Sequence, residues 1–374
     1  MKNIRIGLAG FGPIGIVHLL AYRNIPLIYT GLLPPFEVVG VCQTSREKAE
    51  ETARRENLER AYADFDEMVA DPSIDIIDIV TPNYLHKDQV LKALRSGKHV
   101  LCEKPLALNG READEIERVA AESECTFGMI FNYRFIPAIM KARQLIEAGR
   151  LGEIYTFRAE YYHTGYQNPE KPWSWRMDRE RSGGGALMDL GVHVIDLVRY
   201  LLGEVDSIQC KTRTYIPQRF DPHSSRMEPV TVDDAAWAHI NLKNGGVGTL
   251  EVSRFATGAL EDLKITAYGS KGAFRFDLMD SDFLYWFDPD DEMAGWKRLE
   301  TVPKYKDART PNPRSTAGWI RYHTENQYRF LRSVVDNTTF LPDVHDGAMA
   351  NHIIDAAYES ANSSRDCKVA DAAD

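Results

Sequence analysis

Cysteine is scarce in this chain and badly placed for pairing. The 374 residues contain five, Cys42, Cys102, Cys125, Cys210 and Cys367, odd in number, widely scattered and without a CxxC spacing. No disulfide framework fits that distribution, and reduced thiols in a bacterial-type cytoplasm, mostly buried filler, are the expectation. Long apolar runs are also missing: none approaches the ~20 residues of a membrane span. Positive charge is in deficit, with 45 Lys and Arg against 55 Asp and Glu and a net charge of −10. A nucleic-acid surface would need a basic footprint, so nucleic-acid and anionic-membrane partners are not expected. No low-complexity tract or internal repeat is visible. The N-terminal MKNIRIGLAGFG enters a strand pattern at once, so a signal peptide is not expected either. What remains is ordinary globular composition, 44% hydrophobic and 27% charged, in a chain long enough for two domains.

The first third alternates. Strands are predicted at Ile4–Ala9, Phe36–Cys42, Ile74–Val80, His99–Cys102 and Thr126–Phe131. Helices are predicted over about Ile14–Asn24, Arg46–Asn57, Lys87–Ser96 and Arg111–Glu124. Such alternation indicates βαβ units and a doubly wound parallel sheet of the Rossmann kind, assigned to residues 1–131. Ligands of open α/β sheets bind at the carboxyl edge of the strands. The first turn there reads Gly10-Phe11-Gly12-Pro13-Ile14-Gly15, a G-x-G-x-x-G that follows a strand and opens a helix. Gly10 suits the tight turn, Gly12 the approach of a pyrophosphate and Gly15 close helix–strand packing. The free N–H groups and dipole of the helix would receive the phosphates. A structural glycine turn is the plainer alternative.

At the end of the second strand an acid would hold the ribose 2′-hydroxyl of NAD. This chain has Gln43-Thr44-Ser45-Arg46 there, a set that tolerates a 2′-phosphate, so the expectation leans to NADP over NAD. Ser45 as a helix cap and Arg46 as a solvated residue explain the same letters equally well. Thr81-Pro82-Asn83 and His86, after the strand Ile74–Val80, are expected among the cofactor contacts, with a capped loop as the rival reading.

After Asn132 the alternation stops. Helix Pro137–Ala148 precedes a strand at Glu153–Tyr162, which sets Tyr155, Phe157, Ala159 and Tyr161 on one face. Beyond an irregular stretch and one helix, strands are predicted at Asp206–Ile216, Ala235–Leu242, Val247–Phe255, Leu263–Tyr268, Phe274–Phe276 and Phe283–Phe287, and helices at Ala317–Asp336 and Gly347–Ser360. Residues 132–374 thus read as an α+β domain with an open, largely antiparallel sheet, which carries substrate-binding and oligomerisation surfaces.

Three residues carry the chemistry. Lys104, in Cys102-Glu103-Lys104-Pro105, stands at a strand's carboxyl end on the cofactor edge, with Pro105 restricting its backbone. In GGGALMDLGVHVID, residues 183–196, Asp189 and His193 are one α-helical turn apart and share a face. Leu190, Val194, Leu197, Val198 and Leu201 form the buried stripe of that amphipathic helix, and Gly191 costs it ~1 kcal/mol. Gly183-Gly184-Gly185 would let the segment lie against a nicotinamide ring. No third ligand is spaced for a metal, so none is expected. A surface salt bridge is the plain alternative for Asp189 or His193 alone. Tyr166, Trp173, Trp175 and Arg176 suit a sugar ring and its hydroxyls, or else anchor a long loop. Asn132, Tyr133 and Arg134 line a cleft or pin the junction.

On Gly10-x-Gly12-x-x-Gly15, Glu103-Lys104-Pro105 and the 183–196 segment, in that order, the whole chain resembles the Gfo/Idh/MocA oxidoreductases. The resemblance implies that Lys104, Asp189 and His193 match the family's catalytic lysine, aspartate and histidine, and that Glu103 and Lys104 also flank the cofactor. It implies hydride transfer between nicotinamide and a secondary alcohol of a sugar or inositol-like polyol, with His193 as general base and Lys104 steadying the oxygen. A homodimer or homotetramer built through the C-terminal sheet is expected. Gln43 departs from the acid that many NAD-using members carry. The alternatives are an NAD-retaining glycoside hydrolase acting by transient oxidation and a catalytically idle nucleotide-binding regulator.

Overall fold

The structure, a computed structural model, describes residues 3–293, 295–301 and 318–370. They fall into two compact units.

The first unit begins with β1 (Ile4–Ala9), α1 (Pro13–Ile28), β2 (Phe36–Cys42), α2 (Arg46–Glu56), β3 (Arg60–Tyr62), α3 (Phe65–Ala70), β4 (Ile76–Ile79), α4 (Asn83–Arg95), β5 (His99–Cys102), α5 (Gly110–Ala121) and β6 (Phe127–Met129). The six strands form one parallel sheet in the order β3-β2-β1-β4-β5-β6, the doubly wound arrangement whose direction switches beside β1. Both faces are covered, which is why Ile6, Leu8, Val41, Ile76 and Leu101 are all buried. β3 and α3 escape the sequence reading because three residues headed by an arginine make no period. α1 runs past Asn24 through Pro26, because Ile25 and Tyr29 are both drawn into the core. A later segment, around Trp319–Asp336, belongs to this unit too and contributes Phe330 and Leu331 to the same core. Each such side chain contributes roughly 1.5–3 kcal/mol.

The second unit continues with α6 (Pro137–Glu147), β7 (Ile154–Tyr162), α7 (Arg179–Ser182), a π-helical turn at Leu187–Gly191 and α8 (Val192–Leu202). There follow β8 (Val205–Arg213), β9 (Gln218–Asp221), β10 (Arg226–Pro229), β11 (Ala235–Leu242), β12 (Val247–Ser253), β13 (Asp262–Gly269), β14 (Ala273–Asp277), β15 (Phe283–Phe287) and β16 (Lys297–Glu300). After α9 (Trp319–Asp336) come α10 (Val344–Ser363) and β17 (Cys367–Lys368). Nine strands make one sheet, β16-β15-β14-β13-β7-β12-β11-β8-β17, antiparallel at every pairing except β7 with β12. The short β9–β10 hairpin stands apart. Asn244-Gly245-Gly246 turns β11 into β12, Gly245 at φ +92°.

Two sequence expectations change here. Tyr155 shares the parity of Phe157, Ala159 and Tyr161 but lies near the strand's end, exposed, while the other three are buried. Nor is α8 amphipathic: apart from Tyr200 it is buried all round, so Val194, Leu197, Val198 and Leu201 are one side of an enclosed helix, and Leu190 of the expected stripe lies buried in the π-helical turn before it. Ala317, the expected start of α9, lies outside the described residues.

Candidate active site

The carboxyl edge of the parallel sheet gathers the loops after β1, β2, β4 and β5, which are stitched by Gly10 N–H to the Cys42 carbonyl (2.9 Å) and Glu103 N–H to that of Ile79 (2.9 Å). Gly10 takes φ +100°, and a Cβ there would press on the Val80 carbonyl at 2.8 Å. Gly15 lies where a Cβ would stand 3.0 Å from the Gly10 oxygen, so helix and turn are in contact. A Cβ on Gly12 would meet nothing within 4 Å. Gly12 is also the N-cap of α1, followed by Pro13 and Ile14, with no side-chain cap and no acid in the first turn. Uncapped N–H groups above an open space fit a pyrophosphate.

Of the flanking residues, Gln43 donates its amide to the Lys48 carbonyl (2.9 Å) and Thr52 Oγ1 (2.6 Å). Ser45 caps α2 by accepting from Lys48 N–H, with Thr44 just before it. Arg46 donates to the Ala61 carbonyl and pairs with Glu67, both at 2.6 Å. Gln43, Ser45 and Arg46 therefore each have a structural task. Thr81 donates to Gln89 (2.6 Å), and Pro82 and Asn83 open α4. His86, expected at the cofactor, is fully buried, its two nitrogens 2.7 Å from the Pro105 carbonyl and 2.9 Å from that of Thr81. It braces the two loops, and burial depresses its pKa. Asn132, Tyr133 and Arg134 form a buried 3-10 turn in this unit, with Arg134 committed to Asp346 at 2.8 Å.

Beneath Lys104 lies a cluster that sequence reading missed. His18 of α1 sets Nδ1 2.8 Å from Asp78 Oδ2 and Nε2 3.1 Å from Glu103 Oε1, and the other Glu103 oxygen accepts Lys104 N–H at 3.1 Å. Burial alone would lower the His18 pKa, but the two carboxylates outweigh it and raise it well above the usual range. Burial would raise Glu103, but the hydrogen bond and charge of His18 hold it well below. Glu103 is thus an anion inside the protein, a support for Lys104 more than a surface for cofactor. His18, Glu103 and His323 also bring ligand-type atoms within 4.8 Å of one another, the one such group among the described residues. No metal is expected from the sequence; His18 brings one positive charge to the two carboxylates. The clue was an aspartate inside Ile74–Val80: a carboxylate in a central parallel strand must find a partner.

In the second unit Asp189 lies in the π-helical turn and His193 at the start of α8. Helical periodicity misses that turn because a single five-residue turn is too short to show a period of its own. A Cβ on Gly191 would meet Leu187 Cδ1 at 2.8 Å, so the glycine answers internal packing. The three glycines do the same, which corrects the nicotinamide reading. Gly183, at φ +78°, abuts the Leu108 carbonyl, Gly184 abuts the Tyr358 hydroxyl and Gly185 abuts the Asp233 backbone. Asp233 then caps the turn, accepting Gly185 N–H (2.9 Å), Leu187 N–H (2.8 Å) and the Tyr358 hydroxyl (2.6 Å). This cap went unforeseen, although Asp233-Asp234 before an apolar strand hints at it.

The charge of Asp189 acts on His163, Tyr166 and Lys171. Tyr166 lies under Lys171 Nζ (4.2 Å) and Arg254 (3.9 Å), and Tyr161 is 6.3 Å from the His193 ring. Trp173 donates to the Pro229 carbonyl (3.0 Å), which makes it the anchor of its loop, while Arg176 lies over Trp175 at 4.4 Å. A carboxylate, an imidazole and aromatic faces in this arrangement suit a neutral polyhydroxylated ligand and a proton transfer.

Known proteins share this plan. Residues 4–131 match the family model described as an oxidoreductase family with an NAD-binding Rossmann fold, and residues 139–275 the one described as the GFO/IDH/MocA C-terminal domain. Levoglucosan dehydrogenase of Pseudarthrobacter phenanthrenivorans is 32% identical over 96% of this chain and 97% of its own. The 1,5-anhydro-D-fructose reductase of Ensifer adhaerens is 32% identical over 56% and 59%. A solved levoglucosan dehydrogenase in complex with NADH and levoglucosan superposes with a TM-score of 0.94 at 32% identity, covering 99% of this chain and 100% of that one. Among the described residues no helix is long and apolar enough to cross a membrane.

Proposed function

Because the chain belongs to the Gfo/Idh/MocA family of NAD-binding oxidoreductases, we propose that it interconverts a secondary alcohol and ketone on a sugar or polyol. The observation that carries this reading is the open Gly12 cradle on the sheet edge that also presents Lys104. When bound, the nicotinamide supplies the hydride acceptor or donor. In the oxidising direction His193 takes the hydroxyl proton. Its Nδ1 is buried, which leaves Nε2 to receive it. Lys104 donates a hydrogen bond to the same oxygen and steadies its developing charge. Asp189 holds the substrate hydroxyls, with Tyr166, Trp175 and Arg176 at the ring and Trp173 anchoring their loop. Reduction reverses these steps. The hydrolytic and idle alternatives find no support in relatives named for dehydrogenase and reductase activities.

For the dinucleotide, the absence of an acid at Gln43 opens the site to NADP as well as NAD, with NADP the finer expectation. Five unpaired cysteines accord with a cytoplasmic setting. The open face of the nine-stranded sheet is our proposed homo-oligomer surface, dimeric or tetrameric. Trp237 (41% exposed), Val247 and Tyr268 share it with Arg158, Glu160, Glu251 and Lys264. Sedimentation equilibrium should give an assembly that Trp237→Glu dissociates; a monomeric wild type would remove this proposal.

The test of the chemistry is single substitution. Lys104→Ala and His193→Ala should each lower kcat at least about 100-fold, near the effect of losing one acid–base or oxyanion group, with dinucleotide binding retained. Wild-type turnover in either variant would refute the role assigned to that residue.

A further inference from the structure

We propose that His18, clamped between Asp78 and Glu103, is a positioning residue that fixes Glu103 as the anionic support of Lys104. The inference rests on the reading of Lys104 as catalytic. No part of the reaction needs His18, which is fully buried with Asp78 at its back. Yet the two hydrogen bonds of its ring join residues 60 and 85 positions away in sequence, and the second leads straight to the catalytic loop. Glu103 turns one oxygen to His18 and the other to Lys104 N–H.

The charges show why a cation belongs at His18. Asp78 and Glu103 are two carboxylates in a dry interior, and an unpaired one would protonate in preference to remaining charged. His18 supplies one positive charge, and Lys104 acts on Glu103 as the other. Around them stand Tyr22 of α1, Cys102 of β5, His86 of α4, and His323 and Gln327 of α9. Burial and the neighbouring Asp78 hold Tyr22 protonated, and burial does the same for Cys102. Burial and the charge of His18 push His323 down to about 3, so it stays neutral. His86 is held between two carbonyls, and Gln327 reaches Asp78 Oδ2 at 3.5 Å. None of these can replace the His18 charge.

The sign follows. His18, raised, contributes below its ordinary pKa and loses that contribution as pH climbs through its folded value. Glu103, depressed, contributes above its ordinary pKa and loses that as pH falls through its folded value. In assays near neutrality both are ionised and the support is intact. Without the imidazolium, Glu103 takes up a proton at higher pH, and its hold on Lys104 lapses there.

The experiment is kcat and KM against pH for the full-length enzyme, with wild type, H18Q, D78N and the H18Q/E103Q double variant. In H18Q the acid limb of kcat should move up by about one pH unit or more, the substrate KM staying within about twofold. D78N, which removes a like charge near Glu103 while His18 stays on it, should move the limb down or not at all, and H18N serves if H18Q fails to fold. The double variant, which has no titratable group at 103, should lose the added limb while keeping a low, flatter kcat. Superimposable wild-type and H18Q (or H18N) profiles would overturn the inference, as would an upward shift in D78N or an added limb that survives in H18Q/E103Q. Retained dinucleotide fluorescence quenching confirms the fold. A Lys104→Ala enzyme with wild-type turnover would defeat the catalytic reading and this inference together. An inactive Lys104→Ala beside an unshifted H18Q would defeat this one alone.

Discussion

A methyl group on Gly12, in the first unit, would enter empty space, while one on Gly185, in the second, would be driven into the Asp233 carbonyl. In one-letter code both lie in glycine-rich turns that lead into helices. Geometrically they are opposites. Gly12 takes an ordinary φ of −81°, and its lack of a side chain leaves room for something else. Gly183, Gly184 and Gly185 are filled by Leu108, Tyr358 and Asp233 of their own unit. In the first cluster Gly10 and Gly15 are packed like these and Gly12 alone is open to a ligand, whereas the second is closed by the protein throughout. A glycine run beside chemistry-bearing residues is therefore no sign of cofactor approach until its neighbours are known.

The sharpest way to break this contrast is Gly185→Ala. The methyl cannot be accommodated without moving the backbone that supplies both the Asp233 cap and the turn bearing Asp189. A loss of about 3 kcal/mol or more is expected. Thermal denaturation should register it as a fall of roughly 10 °C. A melting point equal to wild type would mean that the second cluster is as open as the first. Gly12→Ala should do the reverse, leaving the melting point within about 1 °C while weakening dinucleotide binding on the order of tenfold, since only the approach of the pyrophosphate is obstructed. Wild-type affinity in Gly12→Ala would show that no ligand uses the cradle.

The two units were also unequally legible. The parallel sheet could be read because its strands are continuous apolar runs and each helix has an amphipathic period, so only β3 and α3, too short for a pattern, went unseen. The G-x-G-x-x-G turn and Glu103-Lys104-Pro105 announce themselves by their place at strand ends. In the second unit Asp189 and His193 could be found as a motif, but their π-helical turn could not, because period alone hardly separates it from an α-turn. Least visible were the pairings between distant segments, His18 with Asp78 and Glu103, or Gly185 with Asp233. Only burial creates the demand for those partners, and burial is a property of the fold. The residues assigned to cofactor contact divide along the same line: Gly12 lies in the open, whereas His86 was drawn inside.

The smallest expected effect concerns the adenosine end of the cradle, where openness is partial. Ser45 accepts Lys48 N–H on one lone pair and keeps a hydroxyl proton to donate, and Arg46 is shared with Glu67. Both members of that ion pair are about half exposed, so separating them costs little, about 0–1 kcal/mol. A charge-assisted hydrogen bond to a 2′-phosphate returns about 1.5–3 kcal/mol. The difference, about 0.5–3 kcal/mol, predicts that NADP binds more tightly than NAD by at least about twofold, and that Arg46→Ala erases the gap while leaving NAD unchanged. Glu67→Gln, which frees the guanidinium, should widen the preference a few-fold. Fluorescence titration of both dinucleotides against the three proteins decides the matter. Tighter NAD binding in wild type would mean that Arg46 stays with Glu67 and that the strand end, like Gly185, is already taken.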